Sequence, residues 1–336
     1  MQQLRPSSLA RLLLAFAAIL AAAFAGLGSV WSQPATPGAV ASAVAPVAPF
    51  APTAPFAPID LRAAHDPALQ RSLEDAVRDL GLDAQLAHKH LALALVDVTD
   101  AQAPRLAMLN GDEMMYAASM PKLGILFGAM AEAENGRFAL DAERLQAMTR
   151  MIRVSSNEDA TRVLKWVGQS RLLDLLQSDR FRLYDAKGAG GLWVGKGYDS
   201  APAFQRDPLR NLSHGATAFQ VARLYTQLAS GTLFQPRINA LMLDILSNPS
   251  IHHKFVRALQ GVPGVRMFRK SGTWKDFHAD SALVEADGRR YVMVAIAEHR
   301  DGGEWLVRLG ARMHELVIAP ARRSAGPVAP AALPNS

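Results

Sequence analysis

Tyr116-Ala-Ala-Ser-Met-Pro-Lys-Leu-Gly-Ile-Leu-Phe-Gly-Ala-Met-Ala-Glu-Ala-Glu-Asn-Gly-Arg137 is the stretch that decides the fold. A small polar residue precedes an apolar run that stops at Asn135-Gly136, which reads as one helix. Ser119 stands where an N-cap or first turn belongs. Pro121 fits there because the first turn has spare N–H groups. Residues three apart share a helix face, so Ser119 and Lys122 point the same way, one turn apart. The run from Leu123 to Met130 is mostly apolar, which predicts a buried helix. A buried lysine loses part of its preference for the charged form. Beside a serine hydroxyl, such an amine can take the proton and leave an alkoxide-like nucleophile. Taken alone, Ser-x-x-Lys is a common capped-helix pattern, so the rest of the chain must supply the other parts of a site.

Working outward, Pro67–Leu82 carries Leu69, Leu73, Val77 and Leu80 at helical spacing. His90–Val98 alternates as a strand, with Arg105–Leu109 as its hairpin partner. After the Ser119 helix come helical segments at 141–152, 158–167, 170–177, 216–228, 237–246 and 252–259. Strand signals return at 265–270, 279–285 and 290–297, the last two joined by a turn at Ala286-Asp287-Gly288. Glu304–Val317 closes as a helix. The expected fold class is therefore α+β: an antiparallel sheet built from both chain ends, covered by terminal helices, with an all-helical subdomain inserted. The sheet part is expected at about 62–116 and 262–320, and the helical part at about 117–261. A cleft is expected at their seam.

Two further motifs carry candidate site residues. Ser155-Ser156-Asn157 stands just before a helix, and one of the three is expected to cap it. Functionally, Ser155 offers a hydroxyl that can relay a proton to a leaving nitrogen, and Asn157 an amide that can hold a substrate amide. Lys270-Ser-Gly-Thr-Trp274 sits at a strand end. There Lys270 offers positive charge, Ser271 and Thr273 offer hydroxyls for a carboxylate, and Gly272 permits close backbone approach. The N–H groups of Thr273 and Ser119 can together stabilise an oxyanion.

Ser119-x-x-Lys122, Ser155-x-Asn157 and Lys270-Ser271-Gly272 occur in this order, each in its expected context. In this the chain resembles the class A β-lactamase and penicillin-binding serine hydrolase superfamily over about 62–320. The resemblance implies a β-lactamase/transpeptidase-like fold and acyl transfer without cofactor or metal. It implies Ser119 as the acylated nucleophile, Lys122 as base or relay and Ser155 as proton shuttle. Asn157, Lys270, Ser271 and Thr273 would bind substrate, either a β-lactam or a related carboxylate-bearing amide. A cell-wall D-alanyl-D-alanine carboxypeptidase, and a non-catalytic protein that binds peptidoglycan or a partner, are the alternatives.

The sequence departs from the class A pattern in one respect. Class A enzymes carry a Glu-x-x-Leu-Asn motif whose glutamate activates the deacylating water. This chain has no glutamate between Glu158 and Glu285. The corresponding stretch, Tyr184–His214, is glycine-rich, and its carboxylates are Asp185, Asp199 and Asp207. Each is a substitute base or a turn residue, and deacylation is expected to be slow. Trp193, Tyr198 and Trp274 either line the cleft or anchor core and loops.

Composition narrows the remaining classes. Of 336 residues, half are hydrophobic, which is ample for a core. The net charge of +6 is spread over the chain without basic–aromatic runs, so nucleic acid is not indicated. There is no cysteine, which excludes disulfides and thiolate chemistry. The histidines lack a His-Glu-x-x-His spacing. Arg5 and Arg11 precede an apolar run from Leu12 to Leu27, so residues 1–32 read as a signal peptide or an uncleaved membrane anchor. Residues 33–61 form a Pro/Ala-rich linker and 321–336 a tail expected to be disordered. Export, to a bacterial periplasm, is the expected localisation.

Overall fold

The computed structural model describes residues 60–318; the apolar run at 12–27, most of the linker and the tail lie outside them. Helices α1 (Pro67–Asp79) and α2 (Asp83–Ala87) lead into strands β1 (Leu91–Asp97), β2 (Arg105–Leu109) and β3 (Met115–Tyr116). Then follow α3 (Lys122–Glu134), α4 (Ala142–Arg153), α5 (Asn157–Val167) and α6 (Gln169–Gln177). Short strands β4 (Tyr184–Asp185), β5 (Gly190–Gly191), β6 (Trp193–Val194) and β7 (His214–Ala216) precede α7 (Ala218–Ala229), α8 (Pro236–Leu246) and α9 (Phe255–Ala258). The chain closes with β8 (Arg266–Trp274), β9 (Phe277–Ala286), β10 (Arg289–Glu298) and α10 (Gly302–Ile318).

The two ends of the described residues build one antiparallel sheet in the order β2-β1-β10-β9-β8. Strand β1 shows why it has two covered faces. Leu91, Leu93 and Leu95 pack with Leu69 and Leu73 of α1 and with Leu306, Leu309 and Met313 of α10. Ala92, Ala94 and Val96 turn the other way, into the core shared with α3 and α7. The small residues on that second face let helices come close. Asp287 and Gly288, both at positive φ, form the two-residue β9–β10 turn.

The α+β class and the antiparallel sheet appear as expected. The inserted block is mainly helical but holds the pair β4-β5 and the strands β6 and β7, which form a small sheet with β3 just before the block. His214–Ala216, in part expected to begin a helix, is strand because Thr217 caps α7, its hydroxyl accepting from Gln220 N–H. The helix expected at 252–259 shrinks to Phe255–Ala258, since Lys254 takes a positive φ of 51°. Strand β8 runs on to Trp274, so Ser271–Thr273 lie within it rather than at its end. Leu61, placed in the linker by composition, is buried and starts a short 3-10 turn.

Candidate active site

Helix α3 is buried nearly all round, from Lys122 to Glu132. Such a helix belongs inside a protein rather than on its surface. Ser119 does not cap it; Pro121 takes the N-cap position without a side-chain bond. Instead Ser119 sits in a series of tight turns, with Met120 N–H donating to Ala117 O and Lys122 N–H to Ser119 O. Ala118, just before it, holds a positive φ of 52°. Strain of this kind persists only where the surroundings fix it.

Lys122 is fully buried. Its Nζ donates to Ser155 O (2.6 Å), Asn157 Oδ1 (2.7 Å) and, more weakly, Ser155 Oγ (3.3 Å). Desolvation lowers its pKa from 10.5 to about 7. A neutral amine keeps two N–H donors, enough for the two short bonds, and frees one lone pair. Ser155 is itself at a positive φ of 58°, and the capping task falls to Ser156, whose hydroxyl accepts from Asp159 N–H. That division of labour leaves Ser155 Oγ to face the lysines. Asn157 is exposed at the start of α5.

Lys270, on the edge strand β8, donates to Ser155 Oγ at 2.9 Å and to Ser271 O at 2.6 Å. Burial first, then the charges of Lys122 and Arg269, push its pKa well below the usual lysine value. An arriving carboxylate would reverse that by supplying the missing counter-charge. Gly272 lies against the Ser119 turn. A Cβ there would fall 2.7 Å from Ser119 N and closer still to Ala117 O. Only glycine lets the strand reach the serine backbone.

Alternation puts Ser271 and Thr273 on the opposite face of β8 from Lys270 and Gly272. Thr273 is exposed, and its Oγ1 accepts from Lys254 Nζ at 2.7 Å. Lys254 is buried and also donates to Gly272 O and, at 3.2 Å, to Ala279 O. Desolvation lowers its pKa to about 8, Asp280 opposing and Arg269 reinforcing the shift. Beside it, Arg269 and Asp280 form a fully buried bidentate pair, 2.8 and 2.7 Å. The sequence reading missed Lys254 and this pair. Their residues stand far apart along the chain, and nothing local marks them as buried.

The three loop carboxylates all serve turns. Asp185 accepts from Lys187 and Gly188 N–H, and Asp199 from Ala201 N–H. Asp207 is buried, accepting from the Tyr184 hydroxyl and from Arg210 N–H. Of the aromatics, Trp193 is core and ties its Nε1 to Gln205 O, whereas Trp274 is 55% exposed. Tyr198 lies with its ring 4.5 Å from Lys122 Nζ. His214 is buried, and desolvation lowers its pKa to about 4. Among the described residues no group of three or more histidine, aspartate or glutamate side chains is arranged to hold a metal.

A family model described as the beta-lactamase enzyme family matches residues 145–316, a span that holds Ser155, Asn157 and Lys270 and begins after Ser119. Among solved structures, the chain is similar to a beta-lactamase from Sphaerobacter thermophilus, with 17% identity over 73% of this chain and 96% of that one (TM-score 0.57). It is similar to PBP-A, with 17% identity over 74% and 95% (TM-score 0.55). It is also similar to a mutant class A beta-lactamase of the last common ancestor of Gram-negative bacteria, with 19% identity over 71% and 97% (TM-score 0.56). At these identities the likeness is one of fold. No curated protein sequence matches the chain.

Proposed function

The chain belongs to the beta-lactamase enzyme family, and from that premise we propose that it is a serine hydrolase working through a Ser119 acyl-enzyme. Its substrate is a β-lactam or a related carboxylate-bearing amide. The observation that carries this reading is the line Lys122–Ser155–Lys270, with Ser155 Oγ within hydrogen-bond reach of both lysine Nζ atoms. Lys122 takes the Ser119 proton as Oγ bonds to the carbonyl carbon. Ser155 Oγ then passes a proton to the leaving nitrogen as the C–N bond breaks. The backbone N–H groups of Ser119 and Thr273 receive the oxyanion, and Lys270 receives the carboxylate. Asn157 holds the amide of the substrate, whereas the side chains of Ser271 and Thr273, expected to offer hydroxyls to its carboxylate, lie on the other face of β8 from Lys270, with Thr273 Oγ1 accepting from Lys254.

A slow second step is favoured by the turn bonds that occupy Asp185, Asp199 and Asp207. The protein would then behave towards penicillin as a trap, and a D-alanyl peptidase is the second reading. We further propose export of the folded part to a bacterial periplasm, on the basic and apolar N-terminal residues.

The test is intact-protein mass after incubation with a penicillin and a chromogenic cephalosporin, with absorbance read in parallel. A Ser119 adduct that is absent from Ser119→Ala supports the reading. Neither adduct nor turnover would remove β-lactams as substrates. Undiminished capture of an unmodified ligand by Ser119→Ala would favour a binding protein.

A further inference from the structure

Tyr198 comes from the loop between β6 and β7. Its N–H donates to Thr161 Oγ1 on α5 at 2.9 Å. Its hydroxyl donates to Ala118 O, the carbonyl just before Ser119, at 3.2 Å. Its ring lies over Lys122 Nζ and packs on His214 at 4.2 Å between centroids. The side chain thus spans from α5 to the serine turn. The hydrogen bonds of Lys122 go to Ser155 and Asn157, and Tyr198 covers another side of the amine.

Apart from Lys122 itself, no group beside the ring is suited to take a proton from water. Burial raises the pKa of the Tyr198 hydroxyl well above its usual value, so it stays protonated. His214 has both ring nitrogens in contact, with Ser213 Oγ at 3.2 Å and Lys196 O at 3.0 Å. The loop carboxylates are held in turns. Tyr198 can occupy space here, but it cannot take a proton.

We propose that Tyr198 is a water-excluding residue that prolongs the acyl-enzyme, its side chain filling the space beside Lys122 and Ser119 from which a hydrolytic water would attack. The inference rests on the Ser119 acyl-enzyme reading. In hydrolysis, the water oxygen bonds to the acyl carbon, the bond from that carbon to Ser119 Oγ breaks, and a water proton returns to Oγ by way of Lys122. With Tyr198 in place the water has no seat. Cutting the side chain back to Cβ would leave Ala118 O without its donor and open one side of Lys122. Those are two polar partners for a water in a space the size of a phenol ring, which meets the conditions for occupancy.

The experiment acylates the full chain with penicillin G, removes the excess, and follows loss of the adduct by intact mass for wild type, Tyr198→Ala and Tyr198→Phe. Alanine is expected to shorten the adduct lifetime at least about tenfold, equivalent to roughly 1.4 kcal/mol of barrier, with acylation changed only a few-fold. Phenylalanine keeps the ring and should keep the wild-type lifetime, which a purely structural loss would not explain. Tyr198→Ser, too short to reach Ala118 O, serves if the alanine variant does not fold. An alanine or serine variant that acylates yet holds its adduct as long as wild type overturns the proposal. So does a wild-type adduct that turns over rapidly. Absence of any wild-type adduct removes the acyl-enzyme reading itself, and the role of Tyr198 with it.

Discussion

Lys270 Nζ meets Ser155 Oγ at 2.9 Å, and this bond joins the edge strand of the sheet to the helical block at the proposed reaction centre. The two residues are 115 positions apart in the chain. Ser155→Ala keeps the cap supplied by Ser156 and removes the hydroxyl between the two lysines. Acylation by penicillin should slow by about 10²–10⁴-fold, the range for loss of a proton-transfer group. Circular dichroism should be unchanged. Acylation at the wild-type rate would exclude Ser155 from the proton path.

Acylation should depend on pH in a narrow bell. Lys122 must be neutral to accept the Ser119 proton, so the rate constant per unit of penicillin rises with pH through about 7. Lys254 must be charged to donate to Gly272 O, Thr273 Oγ1 and Ala279 O together, so the same constant falls as pH passes about 8. Lys254→Met is expected to remove the alkaline limb and weaken substrate capture more than the limiting rate. Stopped-flow acylation from pH 5 to 10 reads both limbs. An unchanged alkaline limb in Lys254→Met would assign that limb elsewhere.

Stability carries the same signature with the opposite logic. Both lysines have pKa values below their ordinary 10.5, because burial penalises the charge. The unfolded chain therefore binds more protons above about pH 7. The contribution of this pair to stability rises with pH from about 7 to 10.5. Lys122→Met should flatten that rise in urea titrations while abolishing acylation.

Gly272→Ala should disable the site at modest cost to the fold. The new methyl would lie against Ala117 O and 2.7 Å from Ser119 N, so β8 must move away from the serine turn. Two oxyanion donors would lose their spacing, a loss of about 10²–10³-fold in acylation. A crystal structure of the variant would reveal the displaced strand. Unimpaired acylation would contradict this placement of the oxyanion donors.

Asp280→Ala strands the buried Arg269 guanidinium and removes the acceptor for Phe255 N–H. Loss of about 3–5 kcal/mol in unfolding free energy is expected. The double variant Arg269→Met/Asp280→Leu should recover part of it, since no unpaired charge remains. Chemical denaturation of the three proteins measures the difference.

Local pattern carried much of the architecture. The alternation of His90–Val98 marks a strand, whose cover on both faces belongs to the packing, and Ala286-Asp287-Gly288 marks the β9–β10 turn. The apolar run after Lys122 marks a helix interior to the protein. Where the reading missed, a distant contact had overridden a local preference. Ser119 looks like a cap, but Pro121 takes that position. His252–Leu259 looks like a helix, but Lys254 turns inward to meet β8 and β9.

By itself the sequence determined the order of the long elements, the α+β class and the three short motifs, because hydrophobic period and capping chemistry act within a few residues. Only the tertiary structure decided what surrounds the Ser119–Lys122 pair. The bonds of Lys122 to Ser155 and Asn157, the ring of Tyr198 over its amine, and the lysine behind Thr273 all join distant segments. Burial and charge pairing there are sums over the whole packed chain, and no local stretch of sequence contains them.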